Sequence, residues 1–123
     1  MEKIYTEKAP AAIGPYSQAM KVGNLVITSG QIPINPATGN VEVSTIEQQT
    51  EQVCKNLQAV LEAAGAGMEK IVKTTCFLAD MADFAEFNKV YEAYFISKPA
   101  RSCVAVRQLP KGVLCEIEAI AEK

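Results

Sequence analysis

The sequence predicts an α+β protein, a two-layer sandwich in which a mixed sheet of about six strands carries two helices on one face. Three observations predict it. Apolar residues recur at helical spacing from Ile46 to Ala64 and again from Phe84 to Phe95. Runs rich in β-branched residues, such as "IVKTTCFLA" and "RSCVAV", surround those stretches. The resulting order, β-β-β-α-β-α-β-β, sets a strand–helix–strand crossover among hairpins. A chain of 123 residues is the size of one domain, here residues 1–123, and buries roughly two-thirds of its unfolded surface.

Each element has its own warrant. Pro10, Gly14 and Pro15 punctuate "EKAPAAIGPYSQA" as turns. "SQAMKVGNLVITSGQIP" reads as a hairpin turning at Gly23-Asn24, with Leu25 to Gly30 as its stronger strand. "NPATGN" is a second turn. Ser44 and Glu47 have capping-box spacing ahead of the first helix. That helix carries one apolar stripe, Ile46, Thr50, Val53, Leu57, Val60, Leu61 and Ala64, and Gly65 is its stop. Asp80 is placed to cap the second helix, with Asp83 in its first turn. Its stripe is Phe84, Phe87, Tyr91 and Tyr94 or Phe95. The final strands, "RSCVAV" and "LCEIEAIA", are joined through Pro110-Lys111-Gly112.

Two helices cover one face of such a sheet. Alternation sets Cys115, Ile117, Ala119 and Ala121 on one side of the last strand, against Leu114, Glu116, Glu118, Ile120 and Glu122. In the fifth strand Ser102, Val104 and Val106 oppose Arg101, Cys103 and Ala105. One sheet face is therefore apolar and fits under the helices. The other mixes polar, small and apolar residues, which makes it a poor solvent face and points to cover by another subunit.

Composition narrows the chemistry. There is no histidine, so Ser-His-Asp and Cys-His catalysis are excluded. Cys54, Cys76, Cys103 and Cys115 show no metal-binding spacing, and no metal site is expected. Their plain reading is as small buried hydrophobes. The net charge of −2 and scattered cations argue against nucleic acid. No apolar run approaches the ~18 residues of a membrane span. The N-terminus lacks the order of a signal peptide, so a cytoplasmic protein is expected.

The chemical candidates each have a bland alternative. Arg101 is either a rim arginine in a weak salt bridge or a fork for a carboxylate. Glu116 and Glu118, about 7 Å apart along one strand face, are either solvated partners for Lys73 and Arg107 or proton-handling groups. Cys103 has no histidine to deprotonate it, although Arg101 on the same strand face favours its thiolate. The plainer reading makes it a small residue beside a ligand. Tyr16 is a loop aromatic, Asn88 a helix polar residue, and Ser29-Gly30 a place of close backbone approach.

Taken together, "APAAIGPYSQA", "ITSGQIP", "IVKTTCFLADMADFAEFNKVYEAYF", "PARSCVAV" and "EIEAIA" resemble the Rid family of reactive-intermediate deaminases, in particular its RidA branch. The resemblance runs from Ala9 to Ala121. It implies a chorismate-mutase-like fold, a homotrimer whose sheets form a central barrel, and active sites in the intersubunit clefts. It implies hydrolysis of 2-imino acids such as 2-iminobutanoate and 2-iminopropanoate, and of enamine tautomers such as 2-aminoacrylate, to 2-oxo acids and ammonia. These intermediates leave pyridoxal-phosphate enzymes, and the hydrolysis itself uses no cofactor. By the same resemblance Arg101 binds the substrate carboxylate and Glu116 activates water. Cys103 lies beside the ligand, Tyr16 sits on the N-terminal loop, Ser29 and Gly30 line the pocket, and Asn88 neighbours the arginine.

One departure is Lys98, where the family usually has an aromatic residue, often in a longer loop. It bears on the pocket wall and on side-chain preference. Two other functions stay open on the sequence: a trimer that senses 2-oxo acids or binds proteins without turnover, and a ribonuclease or translation inhibitor.

Overall fold

The computed structural model describes Met1–Lys123. Six strands form one mixed sheet: β1 (Glu2–Ile4), β2 (Ala19–Val22), β3 (Leu25–Thr28), β4 (Ile71–Leu78), β5 (Ala100–Ala105) and β6 (Cys115–Glu122). Their spatial order is β1-β2-β3-β6-β4-β5, and only β4 and β5 run parallel. Helices α1 (Ile46–Ala63) and α2 (Phe84–Tyr94) lie together over one face.

The helical stripe of α1 is the core of the molecule. Ile46, Thr50, Val53, Leu57, Val60 and Leu61 are all buried, as is Ala64 at its C-cap. Fully burying a leucine such as Leu57 or Leu61 contributes about 1.5–3 kcal/mol. These residues meet Val26, Cys76, Ile117, Ala119 and Ala121 of the sheet. Gly65 ends the helix in the left-handed region at φ 81°. In α2 the buried positions are Phe87 and Tyr91, followed by Phe95, so Phe95 rather than Tyr94 completes that stripe.

The helix starts differ by small steps from the sequence expectation. Thr45 caps α1, its Oγ1 accepting from Gln48 N at 3.2 Å. The helix begins at buried Ile46, so the cap falls one residue after Ser44 and the Ser44–Glu47 box does not form. Asp80 does cap, but its carboxylate accepts from Ala82 N at 2.8 Å at the head of a single 3-10 turn, Met81–Asp83. Asp83 thus precedes α2 instead of lying in its first turn.

At the hairpin, Val22 pairs with Leu25 across Gly23-Asn24, where Gly23 has φ 56°. Strand β3 ends at Thr28, short of Gly30. Past that point Gln31 pairs with Ile117, still on β6 but one residue out of the register set by Leu25–Ile27, so the ladder is irregular around Ser29-Gly30. The expected order counts three strands before α1 but locates only the hairpin pair; the third is β1, three residues at the N-terminus and too short for a pattern of its own.

Register assigns the faces. Cys76 pairs with both Ile117 and Cys103, and Thr74 with both Ala119 and Arg101. Arg101 and Cys103 therefore share the helix-covered side with the apolar row of β6. Ser102 and Val104 share the open side with Glu118 and Glu116, through Thr75 and Phe77. The sequence expectation of one apolar and one mixed face holds in the middle of the sheet. At the edge strand β5 it is the helix-covered side that carries the charge, because no further strand closes that edge. On the open side Leu25, Ile27 and Val104 remain exposed.

Candidate active site

The expected site residues gather into two clusters. The first surrounds Arg101. As the second residue of β5 it projects toward α2, where Phe84, Asn88 and Tyr91 are spaced i, i+4 and i+7 on one helix face. Arg101 Nη1 donates to Asn88 Oδ1 at 2.7 Å. The guanidinium carbon lies over the Tyr91 ring at 4.7 Å and the Phe84 ring at 5.4 Å from their centroids. Each such contact at a partly exposed site is worth about 0.5–1 kcal/mol. Arg101 is in no salt bridge, so the rim-pair alternative is not realised.

A cavity of about 400 Å³ opens beside Arg101, lined also by Asn88, Tyr91, Phe95 and Lys98. Lys98 adopts the left-handed conformation at φ 50°, with its N–H bonded to Phe95 O at 3.1 Å. The loop before "PARS" therefore closes as a tight turn that sets a second cation on the cavity wall.

Cys103 follows on the same strand face, half-buried, beside Cys76. Burial pushes its thiol above the usual range, only partly countered by Arg101 and by Cys76. Cys76 is pushed up to about 12 and Cys115 to about 11, in both cases chiefly by burial. All these thiols are protonated at neutral pH, which fits Cys103 as a wall and not as a nucleophile.

The second cluster brings together Tyr16, Ser29, Gly30 and Glu116, with Ile32 and Pro110, around a cavity of about 360 Å³. Gly30 leaves room for Glu116: a Cβ there would run into the Glu116 carboxylate and displace it. Ser29 is occupied in holding the loop, its Oγ donating to Ser17 O at 2.6 Å. Nearby, buried Gln18 bridges Thr6 N at 2.7 Å and Pro10 O at 2.8 Å, anchoring the base of the N-terminal loop. Tyr16 itself is 53% exposed.

Neither Glu116 nor Glu118 forms an ion pair, so Lys73 and Arg107 do not neutralise them. Burial raises the Glu116 carboxyl above its ordinary range, with a further push from Glu118. Such a group sits closer to neutrality and exchanges protons more readily at physiological pH.

Within one chain the clusters stay apart. Arg101, Asn88 and Cys103 lie on the helix side of the sheet edge, whereas Glu116 belongs to the opposite face. Phe84 and Tyr91 are the participants that sequence reasoning took for core alone. Their i, i+4, i+7 spacing with Asn88 was the available signal. No group of three cysteine, aspartate or glutamate side chains is placed to hold a metal ion, and no helix is long and apolar enough to cross a membrane.

Fold and site together define a small α+β protein with an arginine held by an amide and two rings and a separate, partly desolvated carboxylate. Residues 6–123 match the family model described as endoribonuclease L-PSP, and the chain belongs to this family, which includes the Rid/RutC proteins. It is 54% identical to the 2-iminobutanoate/2-iminopropanoate deaminase of Escherichia coli strain K12, over 96% of this chain and 94% of that protein. A RutC family protein of Pyrococcus abyssi is 55% identical, covering 99% of this chain and 97% of its own length. The crystal structure of E. coli TdcF with bound serine superposes with a TM-score of 0.95 at 43% identity, covering 100% and 99% of the two chains.

Proposed function

We propose that this protein is a 2-iminobutanoate/2-iminopropanoate deaminase, hydrolysing the imine and enamine intermediates released by pyridoxal-phosphate enzymes to 2-oxo acids and ammonia. The observation that carries the reading is Arg101, held by Asn88 and by two rings with no carboxylate of its own. Close similarity to a deaminase of that name supports it.

The site is completed between subunits of a homotrimer whose sheets face inward as a barrel. Exposed Ile27 and Val104 on the open face support such cover. The position of Glu116 on that face supports its delivery to the Arg101 cavity of a neighbouring copy. Arg101 pairs with the substrate carboxylate through its remaining N–H groups. The imine enters protonated on nitrogen, and Glu116 takes a proton from a water as its oxygen adds to the C=N carbon, giving a carbinolamine. Glu116 returns that proton to the amino nitrogen, and the hydroxyl gives up its own proton as the C=O forms and the C–N bond breaks, so ammonia leaves and the 2-oxo acid remains. A protonated imine is already electrophilic, so positioning and modest acid–base help suffice without histidine. Cys103 and Gly30 keep the walls small, and Tyr16 and Ser29 border the pocket.

The test couples the protein to a threonine dehydratase and follows 2-oxobutanoate in the presence of a nucleophilic trap for free imine. The expected result is faster release of 2-oxobutanoate and less trapped imine. No acceleration would contradict the proposal. RNA cleavage is the second reading, favoured only by the family description. The acidic charge balance opposes it. RNA cleavage lost in Glu116→Gln would support it.

A further inference from the structure

Tyr91 has more structure around it than a core aromatic needs. One part of the ring faces the Arg101 guanidinium, 4.7 Å from its centroid. The ring also stacks on Phe95, with centroids 4.0 Å apart and planes 13° from parallel. Its hydroxyl shares a 2.7 Å hydrogen bond with Thr74 Oγ1. Thr74 is fully buried and is the register partner of Arg101 on β4. The tyrosine is thus tied to the strand beside the arginine it supports.

We propose that Tyr91, keyed by Thr74, is a positioning residue that fixes the plane of the Arg101 guanidinium and so the orientation in which the site accepts a planar 2-imino or 2-oxo carboxylate. The inference rests on the reading of Arg101 as the carboxylate anchor. The bond to Asn88 fixes one nitrogen of a long, flexible side chain but leaves the guanidinium free to turn about it. A ring face beneath the cation removes that freedom. A carboxylate bound by two parallel N–H···O bonds needs the fork in its own plane, so the gain appears on ligand binding. A phenylalanine would fill the same core volume. The hydroxyl adds a tether across to β4, and the buried Thr74 oxygen gives it the partner that a buried tyrosine requires.

The experiment measures 2-oxobutanoate affinity and steady-state kinetics for wild type, Arg101→Ala, Tyr91→Leu, Tyr91→Phe and Thr74→Val, with a melting curve for each. Arg101→Ala should abolish binding. If it binds as wild type does, the anchor reading itself fails. Given that loss, Tyr91→Leu should weaken binding and raise KM about tenfold with kcat much less changed. Tyr91→Phe should recover most of that affinity, and Thr74→Val should weaken binding about threefold. Thr74→Val preserves core volume and keeps the test available if Tyr91→Leu does not fold. Wild-type affinity in Thr74→Val, together with either wild-type affinity or an unfolded chain for Tyr91→Leu, would overturn the positioning role while leaving the anchor intact. A fall in kcat and melting temperature at unchanged KM would overturn it equally, since that is the signature of packing alone.

Discussion

The two clusters of this molecule handle charge in opposite ways. Around Arg101 the fold supplies partners: an amide oxygen at 2.7 Å and the faces of Tyr91 and Phe84. Around Glu116 it withholds them, and the carboxylate has no cation, sits partly desolvated and has Glu118 on the same strand face. The first arrangement immobilises a permanent charge and suits binding. The second brings a proton-exchanging group toward neutrality and suits chemistry. The contrast also has a spatial side. One cluster belongs to the helix side of the sheet edge and the other to the open face, and in the proposed function each is half of a site.

The largest effect that tests this division is loss of the anchor. Arg101→Ala should lower kcat/KM about 10³-fold, the scale of breaking a hydrogen-bonded charge pair. Gel filtration should match wild type, and melting should fall by only a few degrees, the scale of the lost contacts to Phe84 and Tyr91. Activity near wild type would remove the binding half of the comparison. Glu116→Gln should cost about 10²-fold in kcat with a smaller change in KM. An equal rise in KM with unchanged kcat would make Glu116 a binding group and collapse the distinction.

The titration of Glu116 sharpens the comparison further. In one chain its carboxyl is raised by burial and by Glu118, with no contribution from Arg101. If a neighbouring copy brings its Arg101 close, that cation lowers the Glu116 pKa in the assembly. Arg101→Ala should then raise it again, as read from the Glu116 carboxyl carbon shift across pH. With the pKa raised, the protonated form is the one the fold favours. That part of the stability is present below the ordinary carboxylate range and is lost as pH rises through the folded value. Adding Glu116→Gln to Arg101→Ala should flatten this fall. An unchanged titration in Arg101→Ala would place the two groups too far apart to share a site.

The smallest effect is expected at Cys103. Cys103→Ser should change kcat/KM less than about tenfold, because a protonated, half-buried thiol acts as wall. In the native protein at pH 8, a thiol reagent should modify at most this one of the four cysteines, the other three being buried. A loss matching that of Arg101→Ala would make Cys103 a nucleophile.

Much of this was legible from residue spacing, and the gaps have physical causes. The α1 stripe followed from its period, which an 18-residue helix repeats several times, and β4 from its β-branched composition. Strand β1 was not legible, since three residues hold too little alternation to register. Spacing showed that Arg101 and Cys103 share a face. It did not show which face, because that depends on the pairing of Thr74 with Arg101 across β4 and β5. Tyr91 looked like core, and it is buried. Its ring does both jobs, and a sequence shows only the apolar one. Motif resemblance supplied Asn88 and Glu116, for which spacing alone gave no preference over solvated side chains.

The central claim is that an arginine from one copy and a glutamate from another make one site. Mixing tests it directly. Arg101→Ala and Glu116→Ala chains are unfolded together in equal amounts, refolded, and assayed for imine hydrolysis beside each variant refolded alone. In a closed ring each site draws its halves from two copies, so about a quarter of the sites should carry both residues. The account predicts that the mixture recovers about a quarter of wild-type activity while each variant alone remains nearly inactive. A mixture no more active than its two components would show that both residues must come from the same chain, and would contradict the account.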